Sequence, residues 1–492
     1  MKSFYSILFV ILFLFFNVQA QERALEVGKV VTTQHSTTIK DVKLTFNATT
    51  GTQPVWNEEG KVIAALHYTY YERTDIPRKA TRPLVISFNG GPGSGSVWMH
   101  LAYTGPSILK IDDEGFPIQP YGVKTNPYSI LDVADVVYVN PVNTGYSRII
   151  DPETKRETFF GVNADIKYLA EWLNTFVTRS NRWESPKYLI GESYGTTRVS
   201  GLALELQENQ WMYLNGVILV SPTEIGIDRA GPVAAANRLP YFAAAAWYHK
   251  KLPQDLQSKD LNEILPEVEA YTLNHLIPTL AKGGFVSDEE RRAVAEQMAR
   301  YSGINAKVIL QHNLDVPERF FWKELLREEG FTIGRLDSRY KGIDRQDAGT
   351  DPDYNAELTS WLHSFTPAIN YYFKNVLNYQ TDIKYNMFGP VRPWDNSRNQ
   401  TGENLRQAMA ENPYLHVMVQ SGYFDGATQY FDAKYSMWQI DPSGKMKDRF
   451  RFEGYRSGHM MYLRKEDLIN ANDDIREFIR DSTPKPGQAA KY

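Results

Sequence analysis

Apolar and polar positions along this chain fall into successive regimes, each of which predicts a different kind of element. From Val27 to about Tyr71 they alternate, with Thr, Val, His and Tyr recurring and turns at 47–51 and at Asn57-Glu58-Glu59-Gly60. A period of two over such lengths predicts an antiparallel opening of two to four strands. Short unbroken apolar runs then replace the alternation, at Leu84–Phe88, Val136–Val139, Lys187–Ile190 and Val217–Val220. Strands that are apolar on both faces belong inside a sheet covered on both sides, the buried parallel type. Helical spacing separates the later runs: Ile166, Leu169, Ala170, Trp172, Leu173 and Phe176 before the third, and Val199, Leu202, Leu204 and Leu206 after it. The repeated strand–helix alternation predicts an α/β fold with a mostly parallel central sheet.

From about Pro222 to about Tyr379 no buried-strand run interrupts the pattern. Helical spacing recurs over 234–251, 256–280, 289–301 and 318–328, so an inserted helical cap is expected here. Asp351-Pro352-Asp353-Tyr354-Asn355 invites a calcium-loop reading, but Ala356 stands where such a loop needs Gly and Leu362 where it needs Glu. The strand pattern resumes at His416–Gln420 and Arg449–Phe452, and a helix over 466–480 closes the chain before a polar tail. The expected division is therefore 1–20 as a signal peptide, 21–221 as the first part of the core, 222–380 as the cap and 381–492 as the second part of the core.

Composition narrows the function classes. A length of 492 residues is ample for a large core with an insertion, and a net charge of -4 makes no electrostatic case for nucleic acid. Lys2, the apolar run from Ile7 to Phe16 and the small-residue end Val18-Gln19-Ala20 read as a secretory signal cleaved before Gln21. The run is short of the roughly 20 residues a membrane span needs, so no stable membrane anchor is expected. The absence of cysteine excludes disulfides, thiolate metal sites and a cysteine nucleophile. Exported eukaryotic enzymes usually carry bridges, so a bacterial periplasmic or extracellular protein is expected.

Candidate chemistry centres on Gly191-Glu192-Ser193-Tyr194-Gly195, which sits between a short buried strand and a helix. G-x-S-x-G in that setting is a nucleophile elbow, which lifts the serine hydroxyl clear of the sheet. Such a serine needs a base, a carboxylate to hold the base in its working tautomer, and amide donors for the oxyanion. Asp425 and His459 follow on loops after late strands, in the chain order of the α/β-hydrolases. Upstream, Asn89-Gly90-Gly91-Pro92-Gly93-Ser94-Gly95-Ser96 ends a strand; it lacks the Gly-Lys-Ser/Thr of a phosphate loop and suits an oxyanion loop instead.

Five blocks together resemble the serine carboxypeptidase family: Asn89-Gly90-Gly91-Pro92-Gly93, Asn126-Pro127-Tyr128-Ser129, Pro141 to Ser147, the elbow itself and Gly458-His459-Met460. The resemblance implies an α/β-hydrolase fold and a peptidase that needs no metal or cofactor and acts on peptides with a free C-terminus. It implies Ser193 as nucleophile, His459 as base, Asp425 as its orienting acid, and the amides of Gly91 and Tyr194 as the oxyanion hole. Asn89, Gly90 and Glu192 would hold the substrate carboxylate, which requires Glu192 to keep its proton and so favours acidic pH. Tyr103 stands where many members carry a second glutamate; as a phenol it would donate to the carboxylate without titrating, which moves the expected optimum toward neutral. Arg198 is expected to form a salt bridge rather than to reach substrate. An esterase or acyltransferase on the same fold, or less readily a binding protein, would share most of these features, and oligomeric state has no signal in the sequence.

Overall fold

A computed structural model of the chain describes residues 23–77, 82–227, 229–485, 487, 489 and 491. The expected signal peptide lies outside the described residues. Nine strands follow one another across a single sheet: β1 (Val30–Ile39), β2 (Val42–Trp56), β3 (Val62–Arg73), β4 (Leu84–Phe88), β5 (Asp135–Val139), β6 (Lys187–Glu192), β7 (Gly216–Val220), β8 (His416–Gly422) and β9 (Phe450–Tyr455). Their spatial order is β1-β2-β3-β5-β4-β6-β7-β8-β9, and a two-residue strand, Arg148–Ile149, pairs with β3 off this path. The alternating N-terminal third forms the antiparallel side of the sheet, with Val30 opposite Gly51 and Phe46 opposite Arg73. From β5 onward every neighbouring pair is parallel.

The unbroken apolar runs are explained by burial on both faces. In β4, Val85 enters one core while Leu84, Ile86 and Phe88 enter the other; in β7, Ile218 and Val220 face one way and Val217 and Leu219 the other. Full burial of each such side chain is worth about 1.5–3 kcal/mol. Apart from short α-helices at Gln254–Gln257, Ile277–Ala281 and Ala306–Gln311, the α-helices among the described residues are α1 (Val97–Ala102), α2 (Val162–Arg179), α3 (Tyr194–Asn209), α4 (Pro232–Tyr248), α5 (Leu261–Tyr271), α6 (Asp288–Ser302), α7 (Glu318–Glu324), α8 (Ala356–Tyr371), α9 (Thr401–Glu411), α10 (Tyr430–Ile440) and α11 (Lys465–Ser482). One sheet face packs on α1, α8 and α11 and the other on α2, α3 and α9.

Packing divides the stretch expected to be one cap. Helices α4 to α7 share a core of their own that includes Leu239, Phe242, Val268, Met298 and Phe321. Helix α8 instead joins the core of the sheet: Trp361, Phe365, Ala368 and Ile369 form one stripe along it, and Phe365 meets Trp98 of α1 edge-on at 4.8 Å. A two-residue hairpin, Thr332–Ile333 with Lys341–Gly342, lies between the two parts. Among the described residues no helix is long and apolar enough to cross a membrane.

Candidate active site

The parallel strands end where the chemistry begins. Strand β6 stops at Glu192, Ser193 turns with φ 56° and ψ -128°, and α3 starts at Tyr194. A positive φ is strained for serine, and the neighbours hold it there: the Ser193 amide donates to the Val220 carbonyl at 2.9 Å. Both flanking glycines are demanded by crowding. A Cβ on Gly191 would lie 2.2 Å from the Gly195 carbonyl oxygen, and one on Gly195 would lie 2.9 Å from that of Phe88.

Asp425 follows β8 and His459 follows β9, and the parallel pairing of those strands brings the two loops side by side. Nδ1 of His459 lies 2.7 Å from Asp425 Oδ2, so that nitrogen carries the proton given to the carboxylate and Nε2 is left for the serine side. Asp425 is fixed by the Ala427 and Thr428 amides, both donating to Oδ1, and by the Thr428 hydroxyl on Oδ2 at 2.6 Å. The backbone of His459 is tied at both ends: its amide donates to the Leu336 carbonyl at 2.6 Å, and its carbonyl accepts from the Ser221 hydroxyl at 2.7 Å. Burial alone would lower the pKa of His459, but the charges of Asp425 and Glu192 raise it above the ordinary imidazole value. Thr428, Ser221 and the Leu336 carbonyl have no signature in the sequence, because a hydroxyl or a carbonyl in a loop is too common to stand out.

Glu192 is 3 % exposed, and burial pushes its pKa up to about 7 against the opposing effects of His459 and two donors. Those donors are the Tyr462 hydroxyl, 2.6 Å from Oε1, and Asn89 Nδ2 on Oε2. Asn89 is fully buried and its Oδ1 accepts from the Met99 amide at 3.1 Å, so its side chain steadies Glu192 from behind rather than lining the cavity. The expectation that Tyr103 meets the substrate carboxylate is corrected. Its ring is fully buried, stacks on Tyr462 at 4.6 Å and 11°, and points its hydroxyl at Gln420 Oε1, 2.6 Å away. The phenol that reaches Glu192 is Tyr462, from α11's side of the sheet; it follows His459 by three positions, a spacing that carries no recognisable signal.

The glycine loop abuts the start of α3. Gly91 has φ +106°, and a Cβ on Gly90 would lie 2.5 Å from the Tyr194 amide nitrogen, so only glycine allows this approach. Arg198 clamps the loop from below. It is fully buried, pairs through Nε with Asp165 at 2.6 Å, and donates to the carbonyl oxygens of Asn89 at 2.8 Å and Pro92 at 3.4 Å. The salt bridge expected of Arg198 is thus made with α2 and not within its own helix.

Ser193, His459, Glu192, Gly90, Gly91 and Tyr194 all line one cavity of about 740 Å³. Trp98, Leu358, Trp361, Phe388 and Met460 give it an apolar wall, and Arg335 and Arg392 stand at its edge. A second hollow of about 800 Å³ adjoins it and shares Tyr194, Thr223, Asn396, Ala427 and Thr428.

Comparison with known proteins agrees with this arrangement. The chain is similar to serine carboxypeptidase-like 31 of Arabidopsis thaliana, 29% identical over 170 residues that make up 34% of this chain and 32% of that one. It is 28% identical to the lysosomal protective protein of Mus musculus over 186 residues, 37% of this chain and 34% of the other. The matched stretch thus spans about a third of the length of these relatives. In fold it is similar to the crystal structure of Kex1Δp, a prohormone-processing carboxypeptidase from Saccharomyces cerevisiae, with a TM-score of 0.51 and 14% identity over 89% of this chain and 92% of that one. The sheet, its helices on both faces and the elbow after β6 are those of an α/β-hydrolase. The family model for serine carboxypeptidases matches residues 40–447, and the chain belongs to that family.

Proposed function

We propose that this protein is a serine carboxypeptidase, exported through its N-terminal signal, that removes C-terminal residues from peptides by way of an acyl-enzyme on Ser193. The observation that carries the reading is Glu192. A buried carboxyl beside the nucleophile, held by two donors and kept protonated into the neutral range, suits the binding of a carboxylate, because an ionised acid would repel one.

In this mechanism the free C-terminus of the peptide lies against Glu192 and the Gly90 amide, which brings the last peptide carbonyl to Ser193. Ser193 Oγ attacks that carbon while His459 Nε2 takes its proton, and Asp425 stabilises the imidazolium that forms. The oxyanion is met by the amides of Gly91 and Tyr194, which belong to a loop and a helix start already pressed together in the resting enzyme. His459 then protonates the departing amine, and water, activated by the same imidazole, releases the shortened peptide. Asn89, Tyr462 and Tyr103 act behind this surface, the first two on Glu192 and the third on Tyr462. Within residues 222–380, helices α4 to α7 act as the cap over a core made of 21–221 and 381–492, which α8 joins. The cysteine-free composition and the Lys2-led apolar run support export to a bacterial periplasm or medium.

Incubation with an N-blocked dipeptide is the test. Release of the C-terminal amino acid by the purified protein, lost in Ser193→Ala together with labelling by a fluorophosphonate, is the expected result. Turnover of simple esters with no release from any blocked peptide would overturn the reading in favour of an esterase.

A further inference from the structure

The fully buried arginines among the described residues are each matched by a carboxylate. Arg198 pairs with Asp165 at 2.6 Å, Arg182 with Asp135 at 2.5 Å and Arg339 with Asp337 at 2.7 Å, all buried. The hollow beside the active-site cavity follows the same rule. There Arg229 faces Glu224 and Asp432, each at 3.6 Å, and Arg238 faces Asp315 at 2.5 Å and Glu318 at 2.8 Å.

The cavity that holds Ser193 is lined by two arginines without such a partner. Arg335 and Arg392 both line it, both are exposed, and neither guanidinium has an ion-pair partner among the described residues. The only acidic residue on the wall is Glu192, whose carboxyl is already occupied by Tyr462 and Asn89. The two arginines come from different sides of the cleft. The backbone carbonyl of Arg335 accepts from the Gly426 amide at 3.0 Å, next to the Asp425 turn, and the following residue, Leu336, holds the His459 amide. Arg392 follows a segment laid along the oxyanion loop, where the Gly389 amide donates to the Gly93 carbonyl at 2.7 Å. A substrate held at Ser193 therefore lies in a cavity whose wall carries two cations without ion-pair partners, while the rest of it, Glu192 apart, is apolar or uncharged.

We propose that Arg335 and Arg392 are specificity-determining residues that select peptides carrying an acidic side chain next to the scissile bond. The proposal rests on the carboxypeptidase reading for its substrate class, but the electrostatics also act on binding alone. An acidic side chain supplies the partner that both guanidinium groups lack, and a basic one meets two like charges. Arginine offers a planar pair of donors that a carboxylate accepts bidentately and a carboxamide does not.

The test compares isosteric pairs: N-blocked Phe-Glu with Phe-Gln for the last residue, and N-blocked Glu-Phe with Gln-Phe for the one before it. All four carry the same terminal carboxylate, so each ratio isolates the side chain. Affinities are read by calorimetric titration of Ser193→Ala, which needs no turnover, and kcat/KM is read with the active enzyme. In at least one pair the acidic member is preferred by about five- to tenfold at low salt, the upper range of an exposed ion pair, since two arginines line the one cavity. The preference shrinks in 0.5 M salt, since exposed charges are screened there. Arg335→Gln with Arg392→Gln brings both ratios to about one, and Arg335→Lys with Arg392→Lys keeps part of the preference. Ratios near one in both pairs with the unsubstituted arginines would overturn the proposal, as would a preference that survives the double Gln variant. Selective binding without release would leave the arginine assignment standing and remove the peptidase reading, whereas release without selectivity would do the reverse.

Discussion

Replacing Glu192 by Gln tests how a carboxyl group comes to hold a carboxylate. In the native protein Glu192 is deeply buried and its pKa is raised to about 7. In the proposed mechanism it presents, below that value, a proton to the substrate's terminal carboxylate; above it, two anions would share one site. At a separation of about 4 Å and an effective dielectric constant of about 20, that repulsion is about 4 kcal/mol, enough to abolish useful binding. With a pKa of about 7 the protonated form falls from about a half at pH 7 to about a tenth at pH 8 and about a hundredth at pH 9, so kcat/KM on a blocked dipeptide falls about fivefold from pH 7 to 8 and about fiftyfold by pH 9. The acid limb is set by His459, which must be neutral to accept the serine proton. Its pKa is raised by Asp425 and Glu192, so the two limbs belong to the coupled pair. In Glu192→Gln the amide donates at every pH and the alkaline limb disappears. Activity at pH 6 falls a few-fold, because both oxygens of Glu192 accept hydrogen bonds and Gln has only one acceptor. The assay is the pH dependence of amino acid release from pH 5 to 9 for both proteins. An alkaline limb that persists unchanged in Glu192→Gln would refute the reasoning.

Three further outcomes follow from the contacts behind the cavity. Tyr462→Phe removes a donor that favours the ionised form of Glu192; a charge-assisted hydrogen bond is worth about 1.5–3 kcal/mol, so the alkaline limb moves up by about one to two pH units in the same assay. Tyr103→Phe keeps the stack on Tyr462 and loses the hydroxyl's bonds to Gln420 and, at 3.4 Å, to the Ala471 carbonyl, so it costs about 1 kcal/mol in denaturant unfolding and leaves KM for blocked dipeptides unchanged; a several-fold rise in KM would restore Tyr103 to the substrate contact expected from sequence. Glu357, fully buried at the start of α8, accepts from the Leu336 amide at 2.9 Å, and burial lifts its pKa to about 7. The fold favours its neutral form, so the stability it contributes is present in full below the unfolded-state value of about 4.5 and is lost as pH rises through 7. Glu357→Gln is therefore more stable than the native protein at pH 8 by about 3 kcal/mol, and little different at pH 4, in thermal unfolding.

How much of this was legible beforehand depended on whether a feature was local. Short runs such as Leu84–Phe88 and Val217–Val220 announce strands because burial on both faces leaves almost no polar position, Ser87 alone, to confuse them. The elbow is equally local: Gly191 and Gly195 are forced by contacts within one strand–turn–helix unit and with the strand beside it. Asp425 and His459 could be placed by order alone, since parallel neighbours β8 and β9 bring successive loops to the same edge. Tyr103 was misread because its role depends on a ring more than 350 positions away, and no pattern in its own segment tells a stacked phenol from an exposed one. The same holds for Thr428, Ser221 and Tyr462. Helices α9 and α10 drew no expectation from the sequence; α9 buries only one narrow stripe, and α10 mixes Tyr430, Phe431 and Met437 with charged residues inside an already crowded core. Helix α8 drew no expectation of its own and fell within the stretch expected as cap, because absence of a buried-strand run does not say which surface a segment will meet.

The most direct test of a site that reads a free C-terminus is the ratio of kcat/KM for an N-blocked dipeptide acid to that of its C-terminal amide, measured at pH 6. There Glu192 is about nine-tenths protonated. The expected result is release from the acid at least about a hundredfold faster than from the amide, as for a site whose buried polar groups lose their partner. Equal turnover of the two would contradict it.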